Sequence, residues 1–196
     1  MCDYKFKKIK RMKIIILFLF LVINNVAHAQ QKLYTKNGSI TFTSKAPIQT
    51  IEAVNNKVLS VWETATGNIE FSLLIKGFQF PKALMQEHFN ENYLESDKFP
   101  KATFKGVLEN SKNIVFTSDN VQNVKVNGVL TMHGISKPIA IPATIRIKNG
   151  EVSAVSNFVI SLDDYSIKIP SVVSESINKK ITIQINIPSY KSLITK

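Results

Sequence analysis

The stretch KITIQINIP, residues 180–188, puts Ile181, Ile183, Ile185 and Ile187 on one phase and Thr182, Gln184 and Asn186 on the other. Successive side chains of an extended chain point to opposite faces, so this is a strand with one apolar and one wet side. The same two-residue period runs through Ile69, Phe71, Leu73 and Ile75, broken only at Leu74, and through Val152, Ala154, Ser156, Phe158, Ile160 and Leu162. Further extended runs are read at residues 39–44, 57–63, 102–109, 113–118, 121–132 and 139–148. Turn signals stand at Asn37-Gly38, Thr66-Gly67-Asn68, Ser118-Asp119-Asn120, Gly134 and Asn149-Gly150. Many one-sided strands joined by short connections predict an all-β antiparallel sandwich or barrel.

Residues 81–96, PKALMQEHFNENYLES, depart from that period. Pro81 suits a first helical turn, and Met85, Phe89 and Tyr93 recur every four residues. The spacing predicts one helix or two short ones across an end or face of the sheet. Phe99-Pro100 closes the segment, because the residue before a proline is pushed out of the helical region. Its apolar face either completes the core or forms a lid over a barrel mouth.

Toward the N-terminus, Lys5, Lys7, Lys8, Lys10, Arg11 and Lys13 precede ten uninterrupted apolar residues, Ile14 to Ile23, and then Ala27-His28-Ala29. That is a basic region, an apolar core and a small-x-small cleavage site, so residues 1–29 are expected to be a secretory signal peptide cut after Ala29. The run is about half the roughly 20 residues that a membrane span needs. Residues 30–196 are then one domain, exported to the periplasm or secreted. The part beyond Ala29 carries a net charge of +6, spread along the chain without basic runs interleaved with aromatics, which argues against nucleic acid. A solvated surface is the first reading of that charge, and a transient contact with anionic membrane the second. The only cysteine, Cys2, falls in the expected signal, so no disulfide, thiol nucleophile or lipid attachment is expected.

Chemistry is sparse. His88 and His133 are the only histidines beyond the signal, and neither has a partner at metal-ligand spacing, so no metal and no cofactor are expected. His133, in Thr131-Met132-His133-Gly134, is read as a strand-end residue bonded to backbone, and His88 as a helix-surface or core-edge residue. Asp163 and Asp164 point to opposite faces unless the backbone turns there, and Glu87, Glu91 and Glu95 make a like-charged, solvated helix face. No glycine loop or nucleophile elbow is present, and no catalysis is expected.

Large apolar side chains are in excess, twelve of them phenylalanine. Phe71, Leu73, Phe104, Leu130, Met132, Phe158 and Ile160 hold the inward phase of their strands and either fill a core or line an opening. A barrel of about eight strands permits both. An apolar void above roughly 300 Å³ would favour a container, and a core at crystal-like density a purely structural domain.

Three stretches carry a resemblance. MQEHFNENYLESDKFPKATFKG, residues 85–106, resembles the helix-to-strand segment of the YceI-like family at His88, Phe99, Pro100 and Phe104. VNGVLTMHGISKPIAIPATI, residues 126–145, resembles that family's strand-turn-strand signature at Gly128, Leu130, Thr131, His133-Gly134, Lys137 and Pro138, and NFVISLDDYSIKIPSVV its closing motif. The resemblance implies an eight-stranded, lipocalin-like antiparallel barrel with a short helical insert and a tunnel for a polyisoprenoid or similar long-chain lipid. Its apolar wall would comprise Phe71, Leu73, Met85, Phe89, Phe104, Leu130, Met132, Phe158 and Ile160. His88 is the headgroup candidate, with Lys82, Asn90, Asn92 and Lys137 also within the helix and loops. Two other functions remain open: an envelope- or stress-associated β domain acting by protein contact, and a lipid hydrolase or isomerase using His88 with a nearby acid. The oligomeric state is open, a dimer included.

Overall fold

Strands that are apolar on one side make a sheet with one continuous apolar face, and closing that sheet on itself buries the face and removes its edges. The computed structural model describes residues 32–193, which form a closed antiparallel barrel of eight strands. These are β1 (Lys32–Lys45), β2 (Thr50–Glu63), β3 (Asn68–Leu74), β4 (Lys101–Leu108), β5 (Asn120–Met132), β6 (Ile135–Lys148), β7 (Glu151–Ser161) and β8 (Lys180–Leu193). Each pairs with its neighbour in sequence, and β8 pairs back onto β1, Phe42 opposite Ile183. The signal peptide expected over residues 1–29 lies outside the described residues.

Three strands carry bulges that shift their phase. In β1 the buried positions pass from Leu33 and Thr35 to Gly38 and Ile40, and in β2 from Ala53 and Asn55 to Val58, Ser60 and Trp62, with register shifts between them. In β8, Ile187 stands opposite Ala154 but Tyr190 opposite Val152, so the extra residue falls at Pro188 and Ser189. Asn37-Gly38, expected as a turn, is therefore part of the β1 bulge. The Thr35 hydroxyl accepts the Asn37 N–H at 3.2 Å and the strand continues.

Two hairpins turn where the sequence places them. His133-Gly134 and Asn149-Gly150 each link strands through two residues with positive φ, 52° and 73° in the first and 51° and 78° in the second. Both central residues of a type I′ turn need that conformation, which glycine adopts freely. Residues 113–118, expected as a strand, are not one. The Gln122 side chain accepts the Val115 N–H at 3.1 Å and donates to its carbonyl at 3.2 Å, and Asn120 donates to the same carbonyl at 2.9 Å. Side-chain amides have taken the bonds that a neighbouring strand would supply.

In this meander the β1–β2, β3–β4, β5–β6 and β7–β8 connections emerge at one end and the others at the opposite end. The first end holds both long connections. Within β3–β4 lie α1 (Ala83–His88) and a π-helical turn over Phe89–Tyr93 that continues it. The expected helical insert is present, starting two residues inside Pro81 and widening where the Leu94 N–H reaches back to the Phe89 carbonyl at 2.9 Å. Paired N–H···O bonds between Val54 and Gln79 fasten the insert to β2. Phe80 and Phe89 of the insert meet Phe42 and Phe78 with ring centroids 5.0 to 5.6 Å apart.

Candidate functional site

Inside the barrel is a cavity of about 520 Å³, reaching from Trp62 and Tyr190 at one end to α1 and residues 169–177 at the other. It exceeds the 300 Å³ that separates a container from a filled core and falls within the ordinary size of ligand pockets.

The wall follows from the two-residue period. Phe71 and Leu73 of β3, Phe104 of β4, Leu130 and Met132 of β5, and Phe158 and Ile160 of β7 all line it, as do Met85 of α1 and Phe89 of the π turn. The cavity survives among such large groups because β4 and β5 place two glycines where side chains would stand. Gly106 is opposite Gly128, and a Cβ on either would meet the Phe104 ring, at 2.7 Å and 2.6 Å. The ring thus settles against bare backbone. Phe71 packs against the ring at a tilt, with centroids 6.3 Å apart.

The floor is dense. Trp62 is 1% exposed and packs with Phe116 and Tyr190 at centroid separations of 5.6 and 6.1 Å. The Tyr190 and Ser60 hydroxyls hydrogen-bond at 2.9 Å. Burial pushes the Tyr190 phenol up to about 12, with the Ser60 bond pulling the other way. Among the described residues the Trp62 indole N–H has no partner.

The mouth is built from three connections. Ser44, Gln49 and Ile51 come from the β1–β2 hairpin, Lys82, Leu84, Met85 and His88 from the insert, and Ile169, Val173, Ser176 and Ile177 from the β7–β8 connection. The Ile48 N–H donates to the Glu175 carbonyl at 3.2 Å, joining the first to the third. The insert therefore lies over the interior. Its other face, with Gln86, Glu87, Asn90 and Glu91, borders a separate groove with Lys76 and Asp97.

The polar residues singled out by sequence are thereby sorted. His88 is exposed at the mouth, and Lys82 lines it too. Asn90, Asn92 and Lys137 do not: Asn90 instead donates to the Gln86 carbonyl at 2.8 Å on the far side of the helix. His133 binds backbone as expected, its Nδ1 to the Tyr165 carbonyl at 2.9 Å, while its Nε2 stands 3.4 Å from Glu95. Glu95 has left the helix at φ 42°, so the three glutamates do not share one helix face. The backbone does turn at Asp163-Asp164, in a 3-10 helix, but Asp163 pairs with Lys179 at 3.1 Å and neither carboxylate faces the cavity. No Asp or Glu lines it among the described residues, and no group of three there suits a metal.

Sequence reasoning named Met85, Phe89, His88 and Lys82 at the mouth but missed the floor and the β1–β2 and β7–β8 sides of the mouth. Tyr190 stands beyond the bulge of β8, where the period has slipped, with Pro188 the visible cue, whereas Trp62 holds the inward phase of the expected strand 57–63 with Val58 and Ser60 and was not singled out. Ile167 and Ile169 alternate about Lys168, but in a connection with no strand around them.

Residues 28–188 match the family model described as the YceI-like domain. No curated protein matches the chain. Among solved structures the chain is similar to a polyisoprenoid binding domain from Saccharophagus degradans implicated in plant cell wall breakdown, with TM-score 0.71 and 13% identity over 85% of this chain and 100% of that one. It is also similar to Burkholderia cenocepacia BcnA, with TM-score 0.64 and 14% identity over 79% and 96% of the two chains. A third likeness is to a Campylobacter jejuni YCEI protein, with TM-score 0.53 and 17% identity over 72% and 84%. At such identities the likeness is one of fold.

Proposed function

The chain belongs to the YceI-like domain family, and from that premise we propose that it holds a long-chain lipid of the polyisoprenoid kind in the barrel cavity, carrying or sequestering it outside the cytoplasm. The observation that carries the reading is the cavity itself, about 520 Å³ with a wall of aliphatic and aromatic side chains and no carboxylate among the described residues. A polyprenyl chain is flexible and apolar, and each buried methylene contributes about 0.8 kcal/mol, so such a wall binds it with few polar contacts. The similar Saccharophagus degradans domain is described as polyisoprenoid binding, which supports the same class of cargo. His88 and Lys82 at the mouth are the groups offered to a polar headgroup. The protein is read as a container and not an enzyme, since no acid–base pair faces the cavity among the described residues. A filled structural domain acting only by surface contact is disfavoured by the same void. Export rests on the basic, apolar and small-x-small order of residues 1–29.

Trp62 is the only tryptophan and lies at the cavity floor, so its fluorescence reports occupancy directly. Protein purified without detergent is expected to release a long-chain lipid in native mass spectrometry. After delipidation, a polyprenol titration is expected to change Trp62 emission saturably. Empty protein from the cell together with an unchanging Trp62 signal would overturn the proposal.

A further inference from the structure

We propose that the mouth of the barrel docks on an anionic lipid bilayer, seating Ile48, Leu84 and Val172 in its apolar surface layer so that cargo passes between bilayer and cavity without crossing water. Those three are the most exposed large hydrophobic side chains among the described residues, at 66%, 61% and 89%. The other exposed large hydrophobic side chains are distributed around the barrel, on β2, β3, β4, β5, β7, β8 and the β4–β5 connection, and all are less exposed. These three instead cap three different connections, β1–β2, β3–β4 and β7–β8, which emerge at the same end. Each stands beside a residue that lines the cavity, Gln49, Met85 and Val173, so the tips form a rim and not a distant patch. An apolar cluster ringing the opening of an apolar cavity needs a reason, because water contact with such side chains is unfavourable and natural surfaces limit it.

The surroundings suit a bilayer better than a protein partner. Residues 45–50, 81–85 and 170–177 include two cations, Lys45 and Lys82, and one acid, Glu175; the remainder is small, apolar or neutral. Neither lysine makes an ion pair among the described residues, whose salt bridges all lie elsewhere. The acids of the helix, Glu87 and Glu91, face the groove on its far side. Each tip follows an exposed proline, Pro47, Pro81 or Pro170, which restricts the loop before it meets the surface. A few inserted side chains with flanking lysines give weak, reversible attachment, which suits a carrier that must also leave. The purpose, though not the surface, rests on the cargo reading above: a lipid of that class resides in the bilayer.

The test is flotation of the protein, as released by the cell, with vesicles of phosphatidylcholine containing about a third phosphatidylglycerol. Wild type is expected to float with them, less with pure phosphatidylcholine and less as salt is raised. Moving one such side chain from water into an apolar layer is worth on the order of tenfold in partitioning. Ile48→Ser, Leu84→Ser and Val172→Ser together should therefore reduce vesicle binding by about a hundredfold or more, and Lys45→Glu with Lys82→Glu by about tenfold. Both variants alter exposed positions and are expected to melt like wild type. Wild type that stays off anionic vesicles, or a triple variant that floats as well as wild type, would refute docking. So would a wild-type dimer in sedimentation that the triple variant abolishes, with no vesicle binding: the rim would then be a contact between copies. Vesicle binding that persists while Trp62 ignores polyprenol would instead sink the cargo reading and leave the docking surface standing.

Discussion

Ala154→Phe tests whether the barrel interior is open in solution. Ala154 lies on β7 beside Ile145 of β6 and faces the cavity. A cavity of about 150 Å³ is known to hold a benzene molecule, so the added ring takes less than a third of the roughly 520 Å³ present. It removes on the order of 100 Å² of apolar surface from water, about 2.5 kcal/mol in favour of the fold at 25 cal/mol per Å². If the core were filled, the same ring would force neighbours off their rotamers and cost about 1–3 kcal/mol. The two cases thus differ in sign. Ala53→Phe is the control, because Ala53 is 2% exposed, packs in the core and does not line the cavity. Urea and thermal unfolding of both variants beside wild type is the assay. Ala154→Phe is expected to melt at or above wild type, and Ala53→Phe to lose about 1–3 kcal/mol, roughly 3–10 °C at this size. The Trp62 response to polyprenol should weaken in Ala154→Phe, since the ring occupies the lumen. A loss of stability in Ala154→Phe equal to that in Ala53→Phe would refute the open interior.

Tyr190 supplies a pH test: its folded-state pKa lies above the ordinary 10, so the unfolded chain gives up that proton first and stability falls as pH rises through 10 toward 12. Tyr190→Phe should flatten part of that fall in melts between pH 9 and 12, leaving the contribution of Tyr165, which burial also raises; an unchanged slope would contradict it. At neutral pH the same variant should lose about 1 kcal/mol, because it leaves the buried Ser60 hydroxyl without its partner. Met85→Gln and Phe89→Ala separate cover from anchor in the insert. The first should alter lipid retention at little change in melting temperature, while the second, which removes a ring from the four-phenylalanine cluster, should lose about 3 kcal/mol. Equal losses from the two in calorimetry would show that the whole helical face is core. Gly128→Ala should cost about 2 kcal/mol or more, because its Cβ has no room between the Lys105 carbonyl and the Phe104 ring; a wild-type melting curve would show that β4 and β5 yield easily there.

Alternation alone determined which residues face inward in β3, β7 and the first part of β8, because a half-buried strand must repeat every two residues and these strands run without interruption there. The turn signals at Gly134 and Asn149-Gly150 likewise fell at hairpins, whose residues tolerate positive φ. Where a bulge intervenes, the periodic signal divides. The expected strands at 39–44 and 57–63 begin just after the bulges of β1 and β2, and the half of each strand before its bulge was not legible. The bulge is set by the partner strand, which a single chain segment does not contain. For the same reason the apolar run at 113–118 looked like a strand until Asn120 and Gln122 were seen to satisfy its backbone.

The nine residues named from strand phase and the insert do line the cavity, yet whether they made a wall or a core was not legible. A sequence gives the phase of Phe104, Leu130 and Phe158, but the space among them depends on Gly106 meeting Gly128 across two strands and on the circumference fixed by β8 closing onto β1. The floor and the β1–β2 and β7–β8 sides of the mouth likewise came only from the tertiary structure. Trp62 meets Tyr190, and Ile48, Leu84 and Val172 share a rim, although these residues are far apart in the chain and belong to no common local pattern. Local periodicity encodes direction relative to a sheet; volume and proximity are properties of how the sheet closes, and only the closed barrel has them.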